Sequence, residues 1–296
     1  EMTIPAAMTE LGTSVFFGCT SLESIAVAPG SEHFRDIDGV LFDAGLSSLF
    51  RYPSARPGSR YAIPASVELI EIVAFEGASE LAEIEIPHGV TEIDNLAFMD
   101  CVALEEVVLP ASLERLGTKD PFSGCSNLRA IYFLGDALWA TFPPLETIHP
   151  DYRIYVLSSR SGYGGWVDLP MVTIDESTYP AAAWLLGSGY SFDQDINADP
   201  GGRGVSLLSS YAFGLDPRKH SVASLPSPEV SGGTLSVKFF AAAAGIEYSV
   251  ESSSDLRTWS SDGIAVGELD LAQMKTATVD AGAGAGYLRV MVRLED

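Results

Sequence analysis

Apolar residues in the first half of the chain recur in columns. Ile63-Pro64, Ile86-Pro87 and Leu109-Pro110 follow one another at intervals of 23 residues. Each unit carries a phenylalanine (Phe16, Phe75, Phe98, Phe122), three residues later a small residue (Cys19, Ala78, Cys101, Cys125), and six later a leucine (Leu22, Leu81, Leu104, Leu128). Nine past the phenylalanine stand Ile25, Ile84, Val107 and Ile131, and eleven past it Val27, Ile86, Leu109 and Phe133. Columns held in register this way mark an internal repeat. The run from leucine to proline, as in Leu81-Ala-Glu-Ile-Glu-Ile-Pro87, alternates apolar and polar residues, which predicts a half-buried strand that the proline ends. Val67 to Phe75 has apolar residues three to four apart, which predicts a short helix or an irregular turn returning on the convex side. One unit cannot bury its own apolar edge, so neighbours must stack into a curved α/β solenoid with a parallel sheet on its concave face.

Between the first two copies lies an insert at about 33–61. Gly39-Val-Leu-Phe42 and Ser48-Leu-Phe-Arg-Tyr52 flank Asp43-Ala-Gly45 there, which predicts a hairpin interrupting the solenoid. The I-P, A-F, G-C and L-x-x-I columns, with an insert of the form D-G-V-L-F, L-x-x-Y-P, Y-x-I-P, resemble the BspA-like (Treponema pallidum type) leucine-rich repeats of bacterial surface proteins. The resemblance runs from Thr3 to about Ile174, ending on Tyr152-Arg-Ile-Tyr-Val-Leu157 and Ser161-Gly-Tyr-Gly-Gly-Trp166, which are similar to the closing strand and turn of such arrays. Asp120-Pro-Phe122 departs from the usual A-F, so a distorted turn is expected there. The resemblance implies a leucine-rich-repeat solenoid over residues 1–175. It also implies a place on the bacterial surface or outside the cell, and adhesion to a protein or glycan of a matrix or another cell.

From Glu176 the periodicity stops and Ala, Ser, Gly and Asp dominate. Ala181 to Leu186 and Val205 to Tyr211 are expected as short helices around an acidic turn, followed by a Pro-Ser linker, so that 176–230 forms a connecting region. Residues 231–296 hold strand-like runs at Leu235 to Phe240, Glu247 to Ser252, Thr276 to Val279 and Tyr287 to Leu294, which predict a small all-β sandwich. Asp199-Pro200, Tyr211-Ala-Phe-Gly-Leu-Asp-Pro217 and Tyr248 to Trp259 are similar to a C-terminal region of secreted proteins from Verrucomicrobia-like bacteria, a resemblance covering 184–294 that implies a role in export or envelope placement.

Formal charge changes which partners are admissible. Seventeen basic and 40 acidic residues give −23, with lysine only at 119, 219, 238 and 275, so nucleic acid and anionic bilayers would be repelled. No apolar run is long enough to span a bilayer. Glu1-Met2-Thr3-Ile4-Pro5 already lies inside a repeat and has no signal-peptide character, so the chain reads as a fragment with any export signal upstream. Cys19, Cys101 and Cys125 occupy one small apolar slot per repeat, which predicts buried free thiols, a bridge between Cys101 and Cys125 being the alternative.

Two groups of residues are candidates for a site. Glu83, Glu85, Glu106, Val108, Tyr132 and Tyr155 alternate away from the core and are expected on the concave face as a ligand-binding surface. Strands stack about 4.8 Å apart, so Glu83 and Glu106 would stand side by side as like charges, favouring a basic ligand patch or a cation; well-hydrated surface glutamates are the bland alternative. Asp193, Asp195, Asn197 and Asp199 place oxygens at every second position of a glycine-rich turn, as calcium loops do, but Gly204 stands where a bidentate glutamate is needed; a solvated loop of Asx turns is the other reading. No cofactor is otherwise implied. His33, His88, His149 and His220 are expected as surface polar residues, and no H-E-x-x-H, G-x-S-x-G or phosphate-loop pattern occurs, so the chain is not expected to be an enzyme. A carbohydrate-binding sandwich using Trp259 or Tyr248, as the accessory tail of a larger secreted enzyme, is the competing function, and an envelope spacer a third.

Overall fold

The computed structural model describes residues 1–12, 14–138, 145, 147–166, 169–190, 194–281 and 285–295. They fall into two compact units, one of residues 1–178 and one from Tyr179 onward apart from the short stretch that follows Ser188.

The first unit opens with β1 (Met2–Ile4) and β2 (Ile25–Val27), which pair in parallel 23 residues apart. β3 (Phe34–Ile37) and β4 (Val40–Asp43) then form a hairpin around Asp38 and Gly39. Both turn residues are left-handed, φ 50° and 82°, the twist a two-residue hairpin loop requires. β5 (Ser48–Arg51) follows, antiparallel to β4. Then come β6 (Arg60–Ala62), β7 (Leu69–Ile70), β8 (Glu83–Glu85), β9 (Glu92–Ile93), β10 (Glu106–Leu109), β11 (Arg115–Leu116), β12 (Ala130–Phe133), β13 (Arg153–Leu157) and β14 (Met171–Ile174).

These strands wind into a solenoid with two kinds of parallel ladder. Strands at the L-x-x-I columns give β6 beside β8 and the sheet β10-β12-β13-β14. The short strands on the return path give β5-β7-β9-β11, with Leu49, Ile70, Ile93 and Leu116 opposite one another and all buried. The return path is therefore a two-residue strand and a turn. Among the described residues of this unit the only helix is the three-residue 3-10 turn Tyr163–Gly165.

The insert does not interrupt the array. β5 is a member of the return ladder, and Tyr52, immediately after it, stands 23 residues before Phe75 on the aromatic column. Tyr52 stacks on Phe75 with centroids 5.1 Å apart, Phe75 on Phe98 at 5.0 Å, and Phe98 on Phe122 at 5.5 Å. Each such contact adds about 0.5–1.5 kcal/mol beyond the area it buries. Backbone bonds follow the rings: the N–H of Tyr52 donates to the carbonyl of Ala74, Phe75 to Ala97, and Phe98 to Pro121.

At Asp120-Pro-Phe122 the expected change of backbone is present but local. Ser14, Val73 and Leu96, two residues before the phenylalanines of the other copies, are left-handed; Asp120 is not. Its carboxylate instead accepts from the N–H of Phe122 at 2.9 Å, taking the part the next repeat's carbonyl plays elsewhere. The Thr147 hydroxyl accepts from the Gly124 N–H at 2.7 Å in the same way. Phe122 remains fully buried.

The second unit begins with α1 (Pro180–Gly187) and α2 (Leu207–Ala212), the latter capped by the Ser206 hydroxyl, which accepts from the Ser209 N–H. β15 (Glu229–Ser231), β16 (Thr234–Phe240), β17 (Ile246–Ser253), β18 (Ala265–Val266), β19 (Met274–Asp280) and β20 (Tyr287–Leu294) form two antiparallel sheets, β15-β16-β19-β18 and β17-β20. Leu235, Val237, Phe239, Ala277 and Val279 from one sheet pack with Val250 and Leu288 from the other, which is the small sandwich the alternation predicts. The hydroxyl of Tyr211 donates to the carbonyl of Ala244 and that of Tyr248 to the carbonyl of Ala212, both at 2.6 Å, fastening α2 to the strands.

Candidate functional site

On the outward side of β10-β12-β13-β14 the parallel register lines up two rows. Val108, Tyr132, Tyr155 and Val172 are mutually opposite, and so are Glu106, Ala130 and Arg153. On the neighbouring pair, Arg60 stands opposite Glu83 and Ala62 opposite Glu85, and β8 lies beside β10. The rows arise because alternate positions of each strand point outward and the stacking repeats those positions in register.

The six predicted face residues therefore share one side, but they are not equivalent. Tyr132 is only 4% exposed. Its ring lies flat on that of Tyr155, centroids 4.8 Å apart and planes 20° apart, with Val108 next in register on its other flank. The expectation that Tyr132 presents its ring to a ligand is thus corrected: it is a support under the row, because a middle rung of a stack is covered by its neighbours. Val108 and Tyr155 are half-buried, and Val172 is exposed.

The expectation of unbalanced glutamates also changes. Arg60 Nε lies 2.6 Å from a carboxylate oxygen of Glu83, so one of the like charges already has a cation beside it. Arg60 was legible in the sequence only as the residue 23 positions before Glu83, at the end of the insert. Glu85 and Glu106 are half-buried and Glu83 exposed. The face thus combines an apolar and aromatic row with a charged row of both signs, Arg60, Glu83, Glu106 and Arg153.

The acidic turn of the second unit is organised by its own backbone. Asp195 accepts from the N–H and side-chain amide of Asn197, and Asp199 accepts from the N–H groups of Arg203 and Gly204, at 3.1 and 2.6 Å. These are Asx-type turns. Asp193 lies outside the described residues, and among the described residues no group of three or more His, Cys, Asp or Glu is placed to hold a metal ion.

His33 and His88 are exposed; His149 and His220 are half-buried, their Nδ1 atoms accepting from the N–H of Asp151 and Asp216. Of the two aromatics considered for carbohydrate, Tyr248 packs against Phe213 and Phe239 as well as bonding Ala212, and the Arg289 guanidinium lies 4.1 Å from the centre of the Trp259 ring. Both carry structural contacts. The glycine-rich segments 187–191 and 282–286 fall partly outside the described residues.

Residues 1–45 and 56–137 match the BspA type leucine rich repeat region, in six copies. A leucine-rich repeat protein from Eubacterium ventriosum is similar in structure at 22% identity and a TM-score of 0.51, the match covering 59% of this chain and 48% of that one. A leucine rich cell surface protein from Faecalibacterium prausnitzii is similar at 27% identity and a TM-score of 0.48, over 66% of this chain and 51% of that one. The pneumococcal vaccine antigen PcpA is similar at 24% identity and a TM-score of 0.44, over 52% and 44%. The matches thus span about half the length of these solved proteins. No curated protein matches the chain in sequence.

Proposed function

We propose, from the premise that residues 1–45 and 56–137 of this chain are BspA-type leucine-rich repeats, that the repeat unit is the non-enzymatic binding module of a bacterial surface or secreted protein. Its ligand is a protein or a glycan-bearing partner at a cell surface or matrix, held on the outward face of β10-β12-β13-β14. One observation carries the reading: Val108, Tyr155 and Val172 form an accessible apolar row, stiffened by the buried Tyr132, beside a row that holds both acidic and basic groups. Protein-binding surfaces have that composition, an aromatic and apolar centre with a charged rim. Rigid rings lose little conformational entropy when a partner docks. The net charge of −23 favours a partner with basic patches.

The test is a binding screen of the 296-residue chain against matrix proteins, glycans and host-cell surfaces, run beside the triple variant Val108→Ser, Tyr155→Ala, Val172→Ser. The expected result is a ligand whose affinity falls at least about tenfold in the variant, as loss of an interface centre entails, with the thermal midpoint of unfolding checked in parallel. Binding that survives in a folded variant moves the site to the β3–β4 hairpin or the return turns. No ligand above background removes the adhesion reading and leaves the repeats as a spacer.

A further inference from the structure

The sandwich of the second unit sets a sheet of two strands against a sheet of four, and the smaller sheet leaves part of the larger uncovered. Val230 of β15 stands opposite Leu235 of β16, and directly opposed residues share one face of an antiparallel sheet. Both therefore point to the core side, yet Leu235 is 3% exposed and Val230 69%. The cover is what differs. β17 borders β18 and β19 at Val266 and Lys275, and β20 lies against β16. Among the described residues no strand lies beside β20, over β15.

β20 leaves a long edge open there. The N–H of Glu295 donates to the carbonyl of Gly245, and Ser252 exchanges both of its backbone bonds with Ser260 on the side away from β20. Bonded and non-bonded pairs alternate along an antiparallel ladder, so Glu247, Ser249 and Glu251 bond to Arg293, Met291 and Arg289. The N–H and C=O groups of Leu288, Val290, Val292 and Leu294 then point away from β17, and they have no hydrogen-bond partner among the described residues. Proteins usually blunt such an edge by shortness, proline, a bulge or an inward charge. β15 and β18 are three and two residues long, and the free edge of β17 is partly closed by Ser260. β20 has eight residues in unbroken register, no proline and a wholly apolar inner row, Leu288, Val290, Val292 and Leu294. Its two charges are already neutralised, Arg289 by Glu251 at 2.6 Å and Arg293 by Glu247 at 2.5 Å.

We propose that the free edge of β20 is a self-association surface, to which β20 of a second copy of this chain adds antiparallel about a two-fold axis. The strand is complementary to itself. An axis through Val290 places Leu288 against Val292 of the second copy and Val290 against its own counterpart on the inner side, and Arg289 against Met291 and Tyr287 against Arg293 on the outer side. Every inner pair is apolar, no like charges meet, and a guanidinium comes to a phenol ring, which attracts it. Moving the axis by one residue to Met291 would set Arg289 against Arg293, so charge selects the register. A two-fold axis makes each of these contacts twice. The two small sheets join as β17-β20-β20-β17, and the added strand lies over β15, where it covers Val230. The net charge of −23 opposes the approach of two copies, but repulsion between exposed charges is screened beyond about 8 Å at physiological salt. The inference rests on the second unit alone and is independent of any role of the repeat face.

Sedimentation equilibrium of the 296-residue chain, carried to about 1 mM, is the first test, with amide hydrogen exchange at low and high concentration beside it. The mass is expected to rise from one chain to two, more readily as salt is raised. Exchange at the Val290 and Val292 amides is expected to slow with concentration, while that of Arg289 and Met291, already bonded to β17, stays as it was. Met291 is exposed, so its replacement spares the core. Met291→Lys sets a second cation against Arg289 twice per dimer and is expected to weaken association about fivefold, whereas Met291→Glu sets an anion there and is expected to tighten it. A chain that stays monomeric overturns the inference, and so does a dimer whose Val290 and Val292 amides exchange as fast as in the monomer. Equal effects of Met291→Lys and Met291→Glu overturn the register.

Discussion

Arg51 and Glu76 form an ion pair of 2.9 Å inside the repeat unit, their side chains 1% and 7% exposed. Arg51 also donates to the carbonyls of Val73 and Glu76 and to the Ser54 hydroxyl, and Glu76 accepts from the N–H of Gly18 at 3.3 Å. Three stretches far apart in sequence are joined this way: the first repeat at Gly18, the end of β5 at Arg51, and the second repeat at Val73 to Glu76. The first small core around Phe16 and Phe34 is a separate cluster from the long one around the aromatic ladder, and this pair lies where they meet.

A buried charge stripped of its partner costs about 3–5 kcal/mol, whereas replacing both partners by apolar groups of similar volume is often neutral. Arg51→Met and Glu76→Leu are each expected to lower the unfolding free energy by that amount in urea titrations, and the double variant to recover most of the loss. If the double variant is as unstable as the sum of the singles, the hydrogen bonds of Arg51 to the backbone, not the charge pair, are what joins the three stretches.

Tyr52 fills the first rung of the aromatic ladder, yet its hydroxyl is buried with no hydrogen-bond partner among the described residues. An unsatisfied buried hydroxyl costs about 1–3 kcal/mol. Tyr52→Phe keeps the stack and removes the hydroxyl, so the variant is expected to unfold at higher denaturant concentration than the parent. A lower midpoint would show that the hydroxyl finds a partner in solution.

The three cysteines are free, Cys101 and Cys125 buried and Cys19 half-exposed. The Cys101 and Cys125 thiols donate to the carbonyls of Phe75 and Phe98, each in the preceding turn, and burial holds the Cys101 thiol well above its ordinary pKa. Only the thiolate reacts. A disulfide exchange reagent at pH 8 is therefore expected to label one thiol rapidly in the native chain and three in denaturant. One thiol in both conditions would establish the Cys101–Cys125 bridge.

Burial raises the Tyr163 phenol to about 12, with nearby Asp136 adding to the shift and Arg160 opposing it. The native state thus keeps a proton that the unfolded chain releases near the ordinary value of about 10. Stability from this group is complete below pH 10 and is lost as pH rises from there through 12. Unfolding midpoints at pH 9 and pH 11 are expected to differ less in Tyr163→Phe than in the parent. An equal difference would mean that other phenols, such as the more strongly shifted Tyr61, carry the alkaline transition alone.

The sequence by itself determined the repeat and most of the strands. A fixed interval of 23 residues and strict alternation are local properties, and stacking only multiplies them, so Phe75, Phe98 and Phe122 meet because each unit places its phenylalanine alike. The same locality made α1, α2, β16, β17, β19 and β20 legible, since α1 opens on a proline, α2 carries the capping Ser206, and each of the strands its own alternation. The six face residues were legible as one side for that reason too.

Only the tertiary structure decided what those residues meet. The insert reads as an interruption because its columns are stretched, but pairing of β5 with β7 returns Tyr52 to the ladder. The return segments read equally as helix or turn because two-residue strands carry too little pattern to distinguish them. Tyr132 and Tyr155 have the same outward position, and stacking alone buries the one and leaves the other half-open. Arg51, an ordinary charged residue in sequence, became a buried tie, because burial and partnership are sums over neighbours that the chain brings together only on folding.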